Sequence, residues 1–427
     1  MSPTQTAPDI DPGVLASVRQ SAEKARAAAP SVRQSSDDER DDALRSIADR
    51  LNSAADQILR ANEGDVQSAT AAGMSPGLLD RLRLSATRLD EMAEQVRSLA
   101  KLPPLDRVIA RTTVSTGDVL EERRIPVGVI GANYEARANV TLDIATQFIR
   151  SGNAGVLRTG RAAGQTAQMM LDLAIRPSLE SAGIDPDAIQ LITANDRSAA
   201  YALVSLPGLV PLVILRGSGD TTRALAKAGS DLGVRTLAHA DGGGTIYLHQ
   251  QADRDKALGV ITTSLDRLGV CNRLNLLLID DEVWDGYSGP VREMLAQMDV
   301  EVSMPPHDHP LAHEWALDEA HEATVTVARV AGVDEALRVI DHETPGLAAT
   351  ILTEDHTTAT TFLDRCSTAG AFWNVSTRML DGFKLTGAPE TGIAVNREPG
   401  PRGPVTYQDL CLRQYVLTQS GARPDNG

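Results

Sequence analysis

Hydrophobic positions along the chain change their period twice. In "SSDDERDDALRSIADRLNSAADQILRAN", Leu44, Ile47, Ala48, Leu51, Ala55, Ile58 and Leu59 recur at steps of three and four, the spacing of one buried helix face. Ser36 followed by Glu39 forms a capping-box pattern, with acidic residues at the positive end of the helix. The helical pattern extends from Pro12 to about Ala100, behind a dozen residues that read as a disordered tail. After "LPPLDR", the stretch "VIARTTVSTGDVLEERRIPVGVIGA" alternates like a β-hairpin leading into a buried strand. Short apolar strands then follow: "GVLR" (Gly155 to Arg158), "IQLIT", "LVPLVILRG", "VRTLAH" and "TIYLH". Helical segments such as Gln165–Leu179 and Thr221–Ala228 lie between them, and this order predicts an α/β, doubly wound parallel sheet. From Ala252 a second α/β unit begins: helix, Cys271, "LNLLLID", helix and "VEVS", continued by "VTVARV" and "LAATILTED". "MPPHDHPLAH" reads as a loop and "GARPDNG" as a mobile tail.

Composition narrows the class. A chain of 427 residues suggests two or three domains. Aromatics make up only 3%, which favours α/β packing over a β-sandwich, and a net charge of -16 disfavours a nucleic-acid partner. No apolar run approaches the ~20 residues of a membrane span, and "MSPTQTAPDIDPG" lacks the basic-then-apolar pattern of a secretory signal. Cys271, Cys366 and Cys411 are widely spaced and odd in number, with no zinc spacing and no disulfide framework. A reduced, cytoplasmic protein without a metal is expected.

Within "SLDRLGVCNRLNLLLID" (Ser264 to Asp280), Cys271 joins a helix-like run to a strand-like one, and is either a buried small hydrophobe or a nucleophile. No GxGxxG opens the first βα unit, and "GVIGAN" and "DGGGT" read as turns or close-packing sites. In "ILRGSGDTT" a strand ends at Arg216-Gly217-Ser218-Gly219 before a helix, so backbone N–H groups could face a phosphate. "GVLRTGRAAG" sets Arg158 and Arg161 at a strand end without a nearby carboxylate. At a dinucleotide site arginines suit the 2′-phosphate of NADP, the alternative being two solvated surface arginines. "YEARANVT" carries Glu135, Arg137 and Asn139 in a non-periodic stretch, for binding or for structural hydrogen bonds. His307, His309 and His313 fall in the Pro-rich loop and read as surface residues rather than metal ligands.

The blocks "GLLDRLRL", "LEERRIPVGVIGANYEARANVTLDIA", "SGNAGVLRTGR", "LRGSGDTTRAL", "CNRLNLLLID", "NVSTRMLDG" and "GIAVNREPGPRGPVTYQ", in this order, resemble the γ-glutamyl phosphate reductases (glutamate-5-semialdehyde dehydrogenases) of the aldehyde dehydrogenase superfamily. The likeness runs from about residue 15 to 418. It implies an aldehyde-dehydrogenase-like fold of two α/β domains and a small β oligomerisation flap. Residues 13–108 and 123–249 would form the cofactor domain, 250–375 the catalytic domain, and 109–122 with 405–427 the flap and tail. Cys271 falls where the family's nucleophile sits. The Cys271 N–H and Asn139 are the implied oxyanion donors, and Glu135, Arg137, Asn272, Asn374, Thr377 and Arg378 the substrate contacts. Arg158, Thr159, Gly160, Arg161, Arg216, Gly217, Ser218 and Gly219 would hold NADP(H). The implied reaction is reduction of an acyl phosphate, supplied by a partner kinase, to a semialdehyde through a Cys thioester, in a homodimer or homotetramer. Departures cluster near the site: Ala138 stands for the usual proline of "YEARPN", "LDRLGVCN" precedes the nucleophile, Leu274-Asn275 replaces a Glu-Thr pair, and "KLTGAPE" replaces "FGLGAE". They leave open a paralogue with another acyl phosphate or aldehyde substrate, or a non-catalytic homologue that binds a kinase.

Overall fold

The stepwise apolar pattern of the N-terminal region folds into five helices in the computed structural model. That structure describes residues 10–419 except 195, 218, 240–241, 319–320 and 398–399, so Ser218, "GARPDNG" and most of the expected N-terminal tail lie outside the described residues. The helices are α1 (Pro12–Gln34), α2 (Asp37–Ser53), α3 (Ala55–Ala71), α4 (Pro76–Leu82) and α5 (Ala86–Ala100). The Asp11 carboxylate caps α1, accepting from the Gly13 and Val14 N–H groups. The Ser36/Glu39 capping box closes on α2: the Ser36 N–H donates to Glu39 Oε2 at 2.7 Å, and the Glu39 N–H to Ser36 Oγ at 3.2 Å. Leu44, Ile47, Leu51 and Ile58 are all fully buried in the core shared with the first sheet. Each such side chain contributes on the order of 1.5–3 kcal/mol relative to exposure.

Strands β1 (Val108–Thr113) and β2 (Val119–Pro126) form the predicted hairpin. Then come β3 (Val129–Asn133), β4 (Ala154–Arg158), β5 (Ile189–Leu191), β6 (Leu212–Arg216) and β7 (Arg235–His239), a parallel sheet in the order β5-β4-β3-β6-β7. Helix α6 (Ala138–Arg150) carries the chain from β3 to β4. The winding reverses between β3 and β6, which opens a crevice at the carboxyl ends of these strands.

The second sheet contains β8 (Gly244–Leu248), β9 (Leu274–Asp280), β10 (Glu301–Ser303), β11 (Thr324–Val330), β12 (Ala348–Leu352) and β13 (Gly370–Trp373), in the order β10-β11-β9-β8-β12-β13. Every residue of β9 is buried, as expected of a parallel strand covered on both faces. Strand β8, which the sequence reading groups with the first unit, pairs with β9 and β12, so the second sheet starts before the expected border at residue 250. An apolar pentapeptide carries no sign of which parallel sheet it joins.

A short ribbon of β14 (Gly392–Ala394) and β15 (Gly403–Val405) precedes β16 (Cys411–Thr418). Strand β16 pairs antiparallel along the whole of β2, completing a three-stranded flap. The flap leaves Val108, Ile109, Leu412, Tyr415 and Leu417 exposed. Among the described residues no helix is long and apolar enough to cross a membrane.

Candidate active site

Cys271 ends a tight turn directly before β9. The Leu274 N–H donates to Ser264 O at 2.8 Å, which fixes the turn, and Leu265 is anchored in the core. The glycines after β7 press against it: the Gly243 N–H donates to Cys271 O at 2.7 Å. A Cβ added to Gly242 would lie 2.8 Å from Cys271 Cβ and 2.5 Å from Glu314 Oε1, so only glycine fits there. Asn272 is tied down as well. Its amide donates to Leu380 O at 2.9 Å, its carbonyl accepts from Thr377 Oγ1 at 2.9 Å, and Arg378 donates to its side-chain oxygen. Arg273 is fully buried and donates to the carbonyls of Glu322 and Thr324; burial brings its pKa down to about 10, so it stays a cation at neutral pH. Asn275 donates to His313 O at 2.7 Å and accepts from the Trp315 N–H at 3.2 Å, which holds the loop that carries Glu314.

The Cys271 thiol faces a cavity of 610 Å³. Five arginines (Arg81, Arg137, Arg216, Arg267 and Arg378) and five carboxylates (Glu135, Glu314, Glu322, Asp381 and Glu390) line it. Arg137 Nε lies 2.7 Å from Glu135 Oε1, Arg378 Nε lies 2.7 Å from Asp266 Oδ1, and Arg216 donates to Thr391 O at 2.9 Å. Cys271 is open to the solvent of the cavity, yet the protein packed around it pushes the thiol pKa up; Arg216 and Arg137 oppose the rise, while Glu314 and Glu390 add to it. Burial also pushes Glu135 up, but Arg216 and Arg137 outweigh it and hold that carboxyl below its usual range. Burial raises Glu390. His239 also lines the cavity; burial lowers its pKa to about 4 against the weaker pull of the Ile393 backbone, so the ring is neutral at pH 7. The cavity therefore offers a nucleophile, a neutral imidazole, and both signs of charge within one small volume.

Of the residues singled out from the sequence, Cys271, Glu135, Arg137, Asn272 and Arg378 meet in this cavity. Arg216 and Gly217, assigned to the cofactor by position, line it as well. Among the catalytic and substrate candidates, three others do not line it. The Asn139 amide donates to Asp143 Oδ2 at 2.9 Å within α6, and burial pushes Asp143 up to about 7. Thr377 is buried and supports the Asn272 carbonyl from behind. Asn374 has a φ of 53° and braces the ends of β12 and β13, accepting from the Thr353 N–H at 3.0 Å and donating to Thr353 O at 2.9 Å. Arg81, His239, Glu314 and Glu390 were not singled out. Arg81 lies in the family-like block "GLLDRLRL" and Glu390 in "KLTGAPE", so position within those blocks was a usable signal; Glu314 sits in the His/Pro loop and had none. His307 and His309 in that loop share Ser303 Oγ, and among the described residues no group of His, Cys, Asp and Glu gathers as metal ligands.

A family model described as "Aldehyde dehydrogenase family" matches residues 6–324. The chain belongs to the aldehyde dehydrogenase family. It is therefore an oxidoreductase, and enzymes of this family use a nicotinamide cofactor. It is 34% identical to the gamma-glutamyl phosphate reductase of Synechococcus sp. (strain RCC307), over 98% of this chain and 93% of the relative. It is 30% identical to the enzyme of the same name from Streptococcus pneumoniae serotype 19F (strain G54), over 93% of this chain and 97% of that one. The crystal structure of gamma-glutamyl phosphate reductase from Thermotoga maritima superimposes with a TM-score of 0.87 at 28% identity, covering 96% of this chain and 100% of that one.

The crevice beside β4 has the features a dinucleotide needs. Arg158 Nε and Thr159 Oγ1 are buried there without partners, and a Cβ on Gly160 would come within 2.7 Å of the Ala136 backbone nitrogen. Unpaired polar atoms beside a small-residue gap fit the cofactor's hydroxyl or phosphate groups. The expectation of no carboxylate near Arg158 is corrected: Asp196, in the loop after β5, acts on it, and its carbonyl accepts from Arg158 Nη2 at 3.2 Å. Arg161 remains exposed and makes no ion pair with a described residue. A residue distant in sequence supplied what the local motif lacked.

Proposed function

We propose that this enzyme reduces γ-glutamyl phosphate to glutamate-5-semialdehyde with NADPH, as in proline biosynthesis, through a thioester on Cys271. The observation that carries this reading is the matched lining of the Cys271 cavity. The substrate has an ammonium, a carboxylate and an acyl phosphate, and five carboxylates beside five arginines suit such a mixed-charge molecule. An aliphatic aldehyde would leave most of those groups without a partner.

The chemistry follows from these residues. Cys271 gives its proton to the solvent of the cavity, and Arg216 and Arg137 favour the thiolate. The thiolate attacks the acyl carbon, the C–O bond to phosphate breaks, and phosphate leaves with its charge held by the arginines. The Cys271 N–H serves as oxyanion donor, a contact whose loss typically costs roughly 10²–10³ in rate. NADPH, when bound along Arg158–Arg161, supplies the hydride. Cys271 is then released as thiolate when the thiohemiacetal collapses to the semialdehyde. Phosphate rather than water is the acceptor in the reverse direction, and the neutral His239 ring, with a pKa of about 4, is a weak base for activating water. Arg161 motivates the choice of NADP over NAD. The exposed apolar side chains of the flap support assembly into a homodimer or homotetramer.

The test is phosphate-dependent NADP⁺ reduction with glutamate-5-semialdehyde and a panel of other aldehydes. The glutamate-derived substrate should lead by at least about tenfold in kcat/KM, equal to roughly 1.4 kcal/mol of discrimination. A better turnover of uncharged aldehydes would reject the substrate assignment while leaving the thiol chemistry intact. The changed approach to Cys271, with Arg267, Gly269 and Val270 lining the cavity, favours a second reading in which a different acyl phosphate is preferred, and the same panel would reveal it.

A further inference from the structure

A second cavity, of 370 Å³, lies at the root of the flap, where β2 meets the last turn of α1, the start of α2 and the C-terminal end of α6. Six arginines line it (Arg33, Arg40, Arg107, Arg123, Arg124 and Arg150), and no carboxylate does. Three carboxylates stand behind them: Asp37 pairs with Arg40, Asp41 with Arg150, and Glu121 with Arg123. Arg33, Arg107 and Arg124 make no ion pair with a described residue. An excess of cationic groups is thus gathered in one place on a chain whose net charge is -16.

The arginines at the floor are held in place. Arg40 and Arg150 are each 2% exposed. Arg40 donates to the Ser35 carbonyl, Arg150 to the Leu102 carbonyl, and the Arg150 guanidinium lies 5.7 Å from the centre of the Tyr407 ring. Yet the Nε of both remains buried without a hydrogen-bond partner. A buried donor of this kind costs stability unless something accepts from it. Like charges also act on one another here: Arg107 disfavours the charged form of Arg40, and Arg40 that of Arg150. An anion in the cavity relieves this mutual repulsion. One wall is apolar, formed by Leu105, Val108 and Ile125, so a modest organic part is accommodated.

We propose that the flap root is a second binding site, separate from the Cys271 cavity, for a small phosphorylated anion. Guanidinium forks match phosphate oxygens in pairs, and the cavity volume lies near the lower end of the ~300–1,000 Å³ typical of small-molecule sites. An occupant would bridge the flap to α1 and α2.

The probe is inorganic pyrophosphate, titrated calorimetrically into the full chain. Three variants accompany the wild type: the double reversal Arg107→Glu/Arg124→Glu, the milder Arg33→Gln, which alters an exposed side chain, and Arg216→Ala/Arg378→Ala, which removes phosphate contacts from the Cys271 cavity. Saturable binding at one site per chain should survive the last pair, weaken severalfold in Arg33→Gln, and fall at least tenfold in the reversal. The reversal should leave reductase kcat within about twofold of wild type. Pyrophosphate should also raise the Tm of the wild type but not of the reversal. The proposal is overturned if binding disappears with Arg216→Ala/Arg378→Ala and is untouched by Arg33→Gln and the reversal. It is equally overturned if light scattering shows that the reversal dissociates the assembly and pyrophosphate has no effect on wild-type Tm, because the arginines would then serve a contact between copies.

Discussion

Two cavities of this molecule are built around arginine, and they differ in what answers it. Around Cys271 five arginines face five carboxylates; at the flap root six arginines face none. The matched lining keeps a thiol pKa that is raised by burial from rising further, since Arg216 and Arg137 act directly on it, and leaves charges of both signs for a substrate that carries both. The unmatched lining holds its guanidiniums from behind, through backbone carbonyls and three carboxylates, and presents to the cavity only groups that attract anions. The same residue type therefore supports chemistry in one place and simple binding in the other, and the partners decide which.

Removal of the nucleophile should give the largest effect. Cys271→Ala is expected to abolish turnover, by roughly 10⁴-fold or more, while NADPH binding measured by fluorescence stays intact; loss of both together would mean a folding defect. Arg216→Ala comes next, with a fall in kcat/KM of about 10²–10³. Because Arg216 is the strongest group opposing the rise of the Cys271 pKa, the pH midpoint of iodoacetamide modification, already above the usual thiol range in the wild type, should move higher in this variant. A midpoint that moved down would invert the assigned electrostatics. Gly242→Ala should cost about 10–100-fold in kcat and lower Tm by about 2–4 °C, because the new methyl meets the Cα and Cβ of Cys271 too closely and pushes the turn aside.

The smallest effect concerns Asp143, whose carboxyl is raised to about 7 in the fold. The native chain then binds more protons than the unfolded chain between about pH 4 and 7, so this group's contribution to stability falls as pH rises across that window and stays low above it. Asp143→Asn cannot ionise, and its Tm should exceed that of the wild type by about 2 °C at pH 8, with no gain at pH 4. A gain at both pH values would assign the effect to packing instead.

How much of this was legible in the sequence depended on how local the cause was. The helices of the first hundred residues follow from a periodic face and a capping box whose partners are three positions apart. The parallel strands follow from short apolar runs, but not their grouping, which is why β8 changes sheets. At the site, Cys271, Glu135, Arg137 and Arg378 could be singled out because each sits in a family-like block. Their environment could not: Glu314 reaches Cys271 on a loop held by Asn275, some forty residues away, and Asp196 reaches Arg158 across the sheet. Asn374 and Thr377 stand in a family-like block too, and turn out to brace the scaffold behind the cavity rather than line it. The arginines of the flap root come from five separate segments and show no pattern in the sequence.

The central claim is that Cys271 holds the acyl group and that only phosphate releases it efficiently. Rapid mixing of the enzyme with glutamate-5-semialdehyde and NADP⁺ in phosphate-free buffer tests it most directly. The account predicts a burst of one NADPH per chain followed by a stall, restored turnover when phosphate is added, and no burst in Cys271→Ala. Sustained NADPH formation without phosphate, or a full burst in Cys271→Ala, would contradict it.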